Sequence, residues 1–273
     1  MPELPEVETV KRGLESLFES QADRVLRVEA SDKKLRSHPR KQDLLKVKGQ
    51  SLLGIYRRAK YLVFELEDFV LLSHLGMTGT WRVEKEQQKH DHIRIFLESG
   101  RTLTYRDPRR FGMFDVFKKG EEEKDPRFLH LGKDPVLDES FNGEFLFEKS
   151  RGRKTPVKAF IMDQRIVVGV GNIYASEALF LAGIHPLTLA GEINKKDYKR
   201  LAEAIRETLF DAIDCGGTTI SDFKQAGGST GYFQNFLLVY GRDKEECCFC
   251  QTMIQSQVIV GRNSYWCPSC QEK

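Results

Sequence analysis

Two cysteine pairs, Cys247-x2-Cys250 and Cys267-x2-Cys270, separated by sixteen residues, constrain this chain more than any other feature. Thiols two residues apart can offer both sulfurs to one ion, and two such pairs supply the four ligands of a structural zinc. Between the pairs, Val258 and Val260 alternate toward Gly261-Arg262 and Ser264 to Trp266 return. This predicts a metal-stapled β-hairpin with Arg262 at its tip. Cys215 and Cys248 have no partner spacing and read as passive thiols. The start of the chain, Met1 to Glu8, holds three glutamates and no apolar core, so it does not read as a secretory signal. The chain is expected to stay in the cytosol, where thiols bind metal more often than they pair as disulfides.

The hairpin is only the end of a 273-residue chain, long enough for more than one domain. With 40% apolar and 30% charged residues it can bury a core, which excludes a disordered tail or a fibre. The 43 Lys and Arg against 40 Asp and Glu leave +3, so a polyanion must be met by local clusters. The apolar stretch Ile166 to Ile184 contains Asn172, Ser176 and Glu177, and reads as a buried helical region rather than a membrane span. No membrane partner is expected.

Val7, Val10, Leu14, Leu17 and Phe18 recur at helical spacing just after Pro5, which suits a first helical turn. From about Arg24 to Phe117 the pattern becomes period two, as in Leu62, Phe64, Leu66 and Ile93, Ile95, Leu97. Lys118 to Pro135, with an acidic run, two prolines and two glycines, reads as a connection. Tyr198, Leu201, Ala202, Ile205, Leu209, Ala212 and Ile213 then form one helical stripe, ended by Gly216-Gly217. The expected domains are 1–133, β-rich with a leading helix, 134–236, helical, and 237–273, the zinc finger.

Several residues carry chemistry. If Met1 is removed, Pro2 exposes a secondary amine that is far more often neutral at pH 7 than a lysine. Its attack on an aldehyde-level carbon gives a cationic iminium, an electron sink suited to elimination. Glu3 and Glu6 lie close enough in sequence to serve it as acid or base; the bland alternative is an ordinary helix entry with acids at its positive end. His74-Leu75-Gly76-Met77-Thr78-Gly79 and Asp107-Pro108-Arg109-Arg110-Phe111-Gly112 place Met77, Arg109 and Phe111 on tight turns. Apolar wedges beside an arginine suit the unstacking of a base step, although residues of these types are more often core, for Met77 and Phe111, or a solvated charge, for Arg109. Arg57, Arg58 and Lys60 form a basic cluster, and Lys149, Arg151, Arg153, Lys154 and Lys158 a second that suits phosphate contacts. Val168-Gly169-Val170-Gly171-Asn172 before an apolar helix offers N–H groups to an anion. Gln225 to Gln234, with Gly231 and Tyr232, reads as a loop that could close over a ligand.

Taken together, the Met-Pro-Glu-Leu-Pro-Glu start, the two turns, Val168 to Glu177 and the four cysteines resemble the formamidopyrimidine-DNA glycosylases, the oxidised-purine branch of the family that includes endonuclease VIII. The resemblance covers essentially the whole chain. It implies an α+β fold: an N-terminal β-sandwich with a leading helix, a helix-two-turn-helix domain and a C-terminal zinc-finger β-hairpin, with double-stranded damaged DNA in the cleft between domains. It further implies a monomer with one structural zinc and no redox cofactor, acting in the bacterial cytoplasm on the nucleoid.

By the same resemblance, Pro2 is the Schiff-base nucleophile, Glu3 the general acid or base, and Lys60 a catalytic lysine near the phosphates. Arg262 joins this set as a phosphate contact beside the extruded nucleotide, as do His74 and Asn172, with Arg153 also on the DNA. Met77, Arg109 and Phe111 enter the duplex, Arg109 facing the cytosine opposite the lesion. Glu6 supports the lesion pocket, and Gly231 and Tyr232 border the lesion from a loop at Gly227 to Phe233 that folds over the flipped base. Glu245, Glu246 and the extra Cys248 depart from the basic surroundings usual at the first cysteine pair. Two alternatives remain: an endonuclease VIII-like enzyme for oxidised pyrimidines, which Leu4 and the inserted trio disfavour, and a non-catalytic zinc-containing DNA-binding protein. A tautomerase using an N-terminal proline leaves the zinc hairpin and wedges without purpose.

Overall fold

The computed structural model describes residues 2–16, 22–218 and 231–272. They fall into two compact units, one within Met1–Leu129 and Cys215–Tyr232, the other within His130–Asp214 and Phe233–Lys273.

The first unit opens with α1 (Leu4–Glu15), whose Val7, Val10 and Leu14 are fully buried. Leu17 and Phe18, the last members of the expected stripe, lie outside the described residues. Glu3 caps the helix with extended backbone, and Pro5 occupies the first turn, where its missing N–H leaves no bond unmade. Strand β1 (Asp23–Ala30), α2 (Lys41–Lys46), then β2 (Ser51–Arg58), β3 (Tyr61–Leu66), β4 (Phe69–His74), β5 (Thr80–Val83), β6 (Asp91–Leu97), β7 (Thr102–Arg106) and β8 (Met113–Lys118) follow. The strands run in the order β5-β7-β6-β1-β2-β3-β4-β8. Strand β1 belongs to two layers: Asp23 and Arg24 pair with β2, whereas Val25 to Ala30 pair with β6, with an irregularity between Val25 and Arg27. The layers meet through Trp81 of β5, whose ring lies 4.8 Å from Phe64 of β3 and 6.0 Å from Phe114 of β8. Its buried indole N–H donates to Ser73 Oγ at 2.9 Å, so the aromatic core leaves no indole donor unsatisfied. This is the expected sandwich. Period two is blurred in β3 because Val63 is buried as well as Leu62 and Phe64.

In the second unit, α3 (Gly143–Ser150) is capped by Asn142, which accepts the Phe145 N–H at 2.9 Å. Helices α4 (Val157–Ile161), α5 (Asn172–Leu181) and α6 (Lys195–Asp214) follow. The whole stripe read on α6 is buried, and α3 and α5 pack on it. Strands β9 (Gln255–Ile259) and β10 (Arg262–Trp266) form the hairpin, in antiparallel register with Arg262 opposite Ile259. Ile166 to Ile184 holds a buried helix, and no helix among the described residues is long and apolar enough to cross a membrane.

The described residues at 215–218 and 231–232 group with the first unit, although their sequence position suggests the second domain. The cause is polar: the Thr218 N–H donates to Glu6 Oε1 at 2.8 Å, and the Tyr232 N–H donates to Cys215 O at 3.0 Å.

Candidate active site

Pro2 is buried at the mouth of α1, with Glu3 and Glu6 at 4% and 3% exposure beside it. The Glu3 N–H donates to Glu6 Oε2 at 2.7 Å, while Glu6 Oε1 takes the Thr218 N–H. Glu6 therefore ties the start of α1 to the backbone at Thr218. Gly217 (φ +81°) lies so close to Glu6 that an added Cβ would sit 3.1 Å from its Oε1. Gly231 is packed against Gly216 and Gly217, where a Cβ would lie 2.5 Å from the Gly216 carbonyl. Tyr232 is exposed. Positions 227 to 230 of the expected loop lie outside the described residues.

Lys60 is 7% exposed in the β2–β3 turn, next to Ala59 in left-handed backbone (φ +54°). Arg57 fixes this turn. Its Nη1 donates to Ala59 O at 3.1 Å, while Nε donates to Glu8 Oε2 of α1 at 2.7 Å, a pair nearly removed from water. Burial opposes the Glu8 charge, but Arg57, Lys11 and Arg12 outweigh it and hold the carboxyl below its ordinary range. The pair thus joins the helix that carries Pro2 to the turn that carries Lys60.

Sheet register sets Tyr61 opposite His74, so Lys60 and His74 share one edge. The Gly76 N–H donates to His74 Nδ1 at 2.9 Å, which leaves Nε2 as the protonated nitrogen of a neutral ring. Burial, then the cations of Lys60, Arg36 and Arg127, push the imidazole down to about 4. His74 is therefore expected to show no protonation between pH 5 and 8 in imidazole nitrogen NMR; a midpoint near 6.5 would refute its burial among cations. Because the folded value lies below the unfolded one, the unfolded chain takes up this proton first, and stability falls as pH drops from about 6.5 through 4.

Met77 and Phe111 are 39% and 47% exposed, and Arg109 is exposed with its guanidinium 4.9 Å from the Phe111 ring centroid. None of the three is a core residue. What holds their two turns together is Asp107, fully buried and not assigned a role by the sequence reading. Its Oδ1 accepts the Thr78 hydroxyl at 2.6 Å and the Arg109 N–H at 3.2 Å; its Oδ2 accepts the Gly112 N–H at 2.8 Å. The Tyr105 hydroxyl, kept protonated by burial and the Asp107 carboxylate, shares its single proton between the carbonyls of His74 and Leu75, at 3.2 and 3.3 Å. Gly76 (φ +65°) permits the close approach: a Cβ there would lie 2.5 Å from Gly112 N.

In the second unit, Asn172 opens α5 and its Nδ2 donates to Asn263 O at 2.9 Å. Lys158 donates to the same carbonyl at 3.3 Å and to Ser264 Oγ at 2.8 Å. Lys158 is 1% exposed, so the basic run reaches solvent only through Lys149, Arg151, Arg153 and Lys154. The inward lysine anchors the hairpin whose tip presents Arg262, exposed after Gly261 (φ +73°). Glu177 is a further residue the sequence reading passed over: buried, it accepts the N–H groups of Leu238, Val239 and Tyr240. It thereby fixes the approach to the first cysteine pair.

The sulfurs of Cys247, Cys250, Cys267 and Cys270 lie within 4.8 Å of one another, with separations of 3.9, 3.4 and 3.5 Å for three of the pairs. A tetrahedron of sulfurs about 2.3 Å from an ion has edges of about 3.8 Å, so this set fits a four-coordinate metal. Cys248 is exposed and outside the set.

Known proteins match the chain along its length. The model of the formamidopyrimidine-DNA glycosylase N-terminal domain matches residues 1–114, and that of the formamidopyrimidine-DNA glycosylase H2TH domain matches 131–224. The chain is 48% identical to the formamidopyrimidine-DNA glycosylase of Hahella chejuensis, over 99% of this chain and 100% of that one, and 47% identical to that of Bdellovibrio bacteriovorus, over 100% of both. Among solved structures it resembles a Lactococcus lactis Fpg variant in complex with a Fapy-dG containing DNA (TM-score 0.89, 35% identity, all of both chains). It also resembles the Fpg protein of Thermus thermophilus (TM-score 0.88, 38% identity, 100% of this chain and 99% of that one). With a buried proline and glutamate at its start, two braced turns, a four-sulfur hairpin and these relatives along its full length, the chain belongs to the formamidopyrimidine-DNA glycosylase family.

Proposed function

We propose that the protein removes oxidised purines, 8-oxoguanine and formamidopyrimidines, from duplex DNA and then cleaves the abasic site by β,δ-elimination. The observation that carries this reading is the burial of Pro2 and Glu3 together at the start of α1. Once Met1 is removed, Pro2 carries a buried secondary amine beside a carboxyl group, an arrangement of little use to a purely DNA-binding protein. In the proposed sequence, the Pro2 nitrogen bonds to C1′ as the bond from C1′ to the base breaks, and Glu3 transfers the proton that lets the base and ring oxygen part. Opening of the sugar and loss of the amine proton leave an iminium. Loss of a C2′ proton then feeds electrons into it and expels the 3′ phosphate; a second elimination expels the 5′ phosphate, and water releases the sugar fragment from Pro2.

Lys60 and neutral His74 hold phosphate oxygens in this reading, and Asn172, Arg262 and Arg153 are assigned DNA contacts of their own. Met77 and Phe111 fill the space left by the extruded nucleotide, Arg109 donates to the opposite cytosine, and Glu6, Gly231 and Tyr232 border the lesion. Zinc on the four cysteines keeps the hairpin folded, and no redox cofactor takes part. The protein acts as a monomer on DNA in the cytoplasm.

Borohydride reduction during turnover is expected to link the protein to 8-oxoguanine or abasic duplex through the peptide that begins at Pro2. An adduct on a lysine, or none at all, would remove the proline mechanism. Intact mass must show the loss of Met1, which lies outside the described residues. A relative of this fold was solved with an oxidised pyrimidine containing DNA, so thymine glycol is the informative competitor. Release of 8-oxoguanine opposite cytosine is expected to be the faster; the reverse order would favour an endonuclease VIII-like specificity.

A further inference from the structure

We infer that the Thr78 hydroxyl, held by Asp107, makes the two turns of the inserted trio one mechanical unit and is a positioning residue for reading the base opposite the lesion. The inference rests on the proposed insertion of Met77, Arg109 and Phe111. Thr78 follows Met77 directly, in the turn after β4, and its Oγ1 donates to Asp107 Oδ1 at 2.6 Å. The same Oγ1 lies 3.4 Å from the Arg109 N–H, which also reaches Asp107 Oδ1 at 3.2 Å. One hydroxyl thus stands between the residue beside Met77 and the backbone of Arg109. Asp107, fully buried, takes the Gly112 N–H on its other oxygen and so holds the far side of Phe111.

The arrangement has a chemical consequence. A guanidinium discriminates bases only if its donors stand in a fixed place, because a displaced fork meets adenine nearly as well as cytosine. Arg109 is exposed, and the structure's fixed points for it are its backbone N–H and the Phe111 ring. Loosening Thr78 frees the turn without touching any group that meets DNA. Discrimination by Arg109 and filling by Met77 therefore weaken together, whereas Pro2, Glu3 and Lys60 stand on other elements.

The test is a double-mutant cycle on single-turnover excision of 8-oxoguanine opposite cytosine and opposite adenine. Thr78→Val, which keeps the shape and removes the hydroxyl, is expected to lower the cytosine preference about tenfold, the effect of one lost hydrogen bond. Thr78→Ser is expected to restore it. In an Arg109→Ala background, Thr78→Val is expected to cause no further loss of cytosine preference, because its effect on that preference passes through Arg109. A purely structural defect would slow excision opposite both bases equally and leave full preference in Thr78→Val, which would overturn the inference. If Arg109→Ala alone keeps its cytosine preference, the insertion reading itself fails. If Arg109→Ala loses the preference and Thr78→Val keeps it, only the coupling fails.

Discussion

Glu3→Gln is expected to lose base excision by roughly 10²–10⁴-fold while still nicking a preformed abasic site within about tenfold of the wild-type rate. The two steps ask different things of the carboxyl group. Expelling a base from an intact nucleoside needs a proton delivered to a poor leaving group or to the ring oxygen, and an amide has none to give. An abasic sugar already opens to an aldehyde, with which the Pro2 amine condenses without that help. Glutamine also preserves the local structure. Glu3 caps α1 and exchanges hydrogen bonds with Glu6 in a capping box, and an amide oxygen of the same length still accepts the Glu6 N–H. Far-ultraviolet circular dichroism should therefore be unchanged. Parallel single-turnover assays on 8-oxoguanine and abasic duplexes decide the matter; equal losses on both would strip Glu3 of its acid or base role.

The proposed division of labour falls within the first six residues, where Pro2, Glu3 and Glu6 lie on one short stretch. The same locality made α1, the period-two region, the α6 stripe and the hairpin turn at Gly261-Arg262 legible. Each depends on neighbours in sequence. What stayed hidden joins residues far apart. Thr78 and Asp107 are 29 positions apart and meet only because β5 pairs with β7 in a register that sets Thr80 opposite Arg106. Glu6 and Thr218 are 212 apart, so no pattern near Gly216-Gly217 could place that segment with the first unit. Lys158 sits in a basic run that reads as a solvated face, yet it turns inward because Asn263 O and Ser264 Oγ offer it buried acceptors. Charge runs show where cations are, and only packing shows which of them reach solvent. Three braces, Asp107, Glu177 and Arg57, the last read only as part of a basic cluster, are all buried charged residues. Their partners are mostly backbone groups of turns, which leave no mark in composition.

Metal removal from the four cysteines is expected to unfold the hairpin and abolish the DNA affinity that depends on Arg262, leaving both larger cores intact. The small core here contains Phe180, Val239, Cys247, Ile254 and Cys267, so two of its five buried members belong to the four-cysteine cluster. The hairpin strands add little: Val258 and Val260 are exposed, and only Ile259, Ser264 and Trp266 turn inward. Apolar burial of that size falls short of the ordering entropy of some thirty residues, whereas structural zinc contributes about 10–16 kcal/mol of apparent folding free energy in comparable peptides. Without the ion, four sulfurs held within 4.8 Å repel once ionised, and the chain separates them. Arg262 then loses its fixed place even though Lys158 and Asn172 still offer hydrogen bonds to Asn263 O, since two such bonds supply only about 1–3 kcal/mol. Elemental analysis should find one zinc per chain. After chelation, amide exchange at Ile259 to Ser264 should rise to unprotected rates while α6 and the Trp81 core keep their protection. Cys250→Ser should reproduce the effect, and Cys248→Ser should not, because Cys248 stands outside the sulfur cluster. Hairpin amides that stay protected in metal-free protein would mean that contacts with α5, through Asn172 and the packing of β10, hold the finger by themselves.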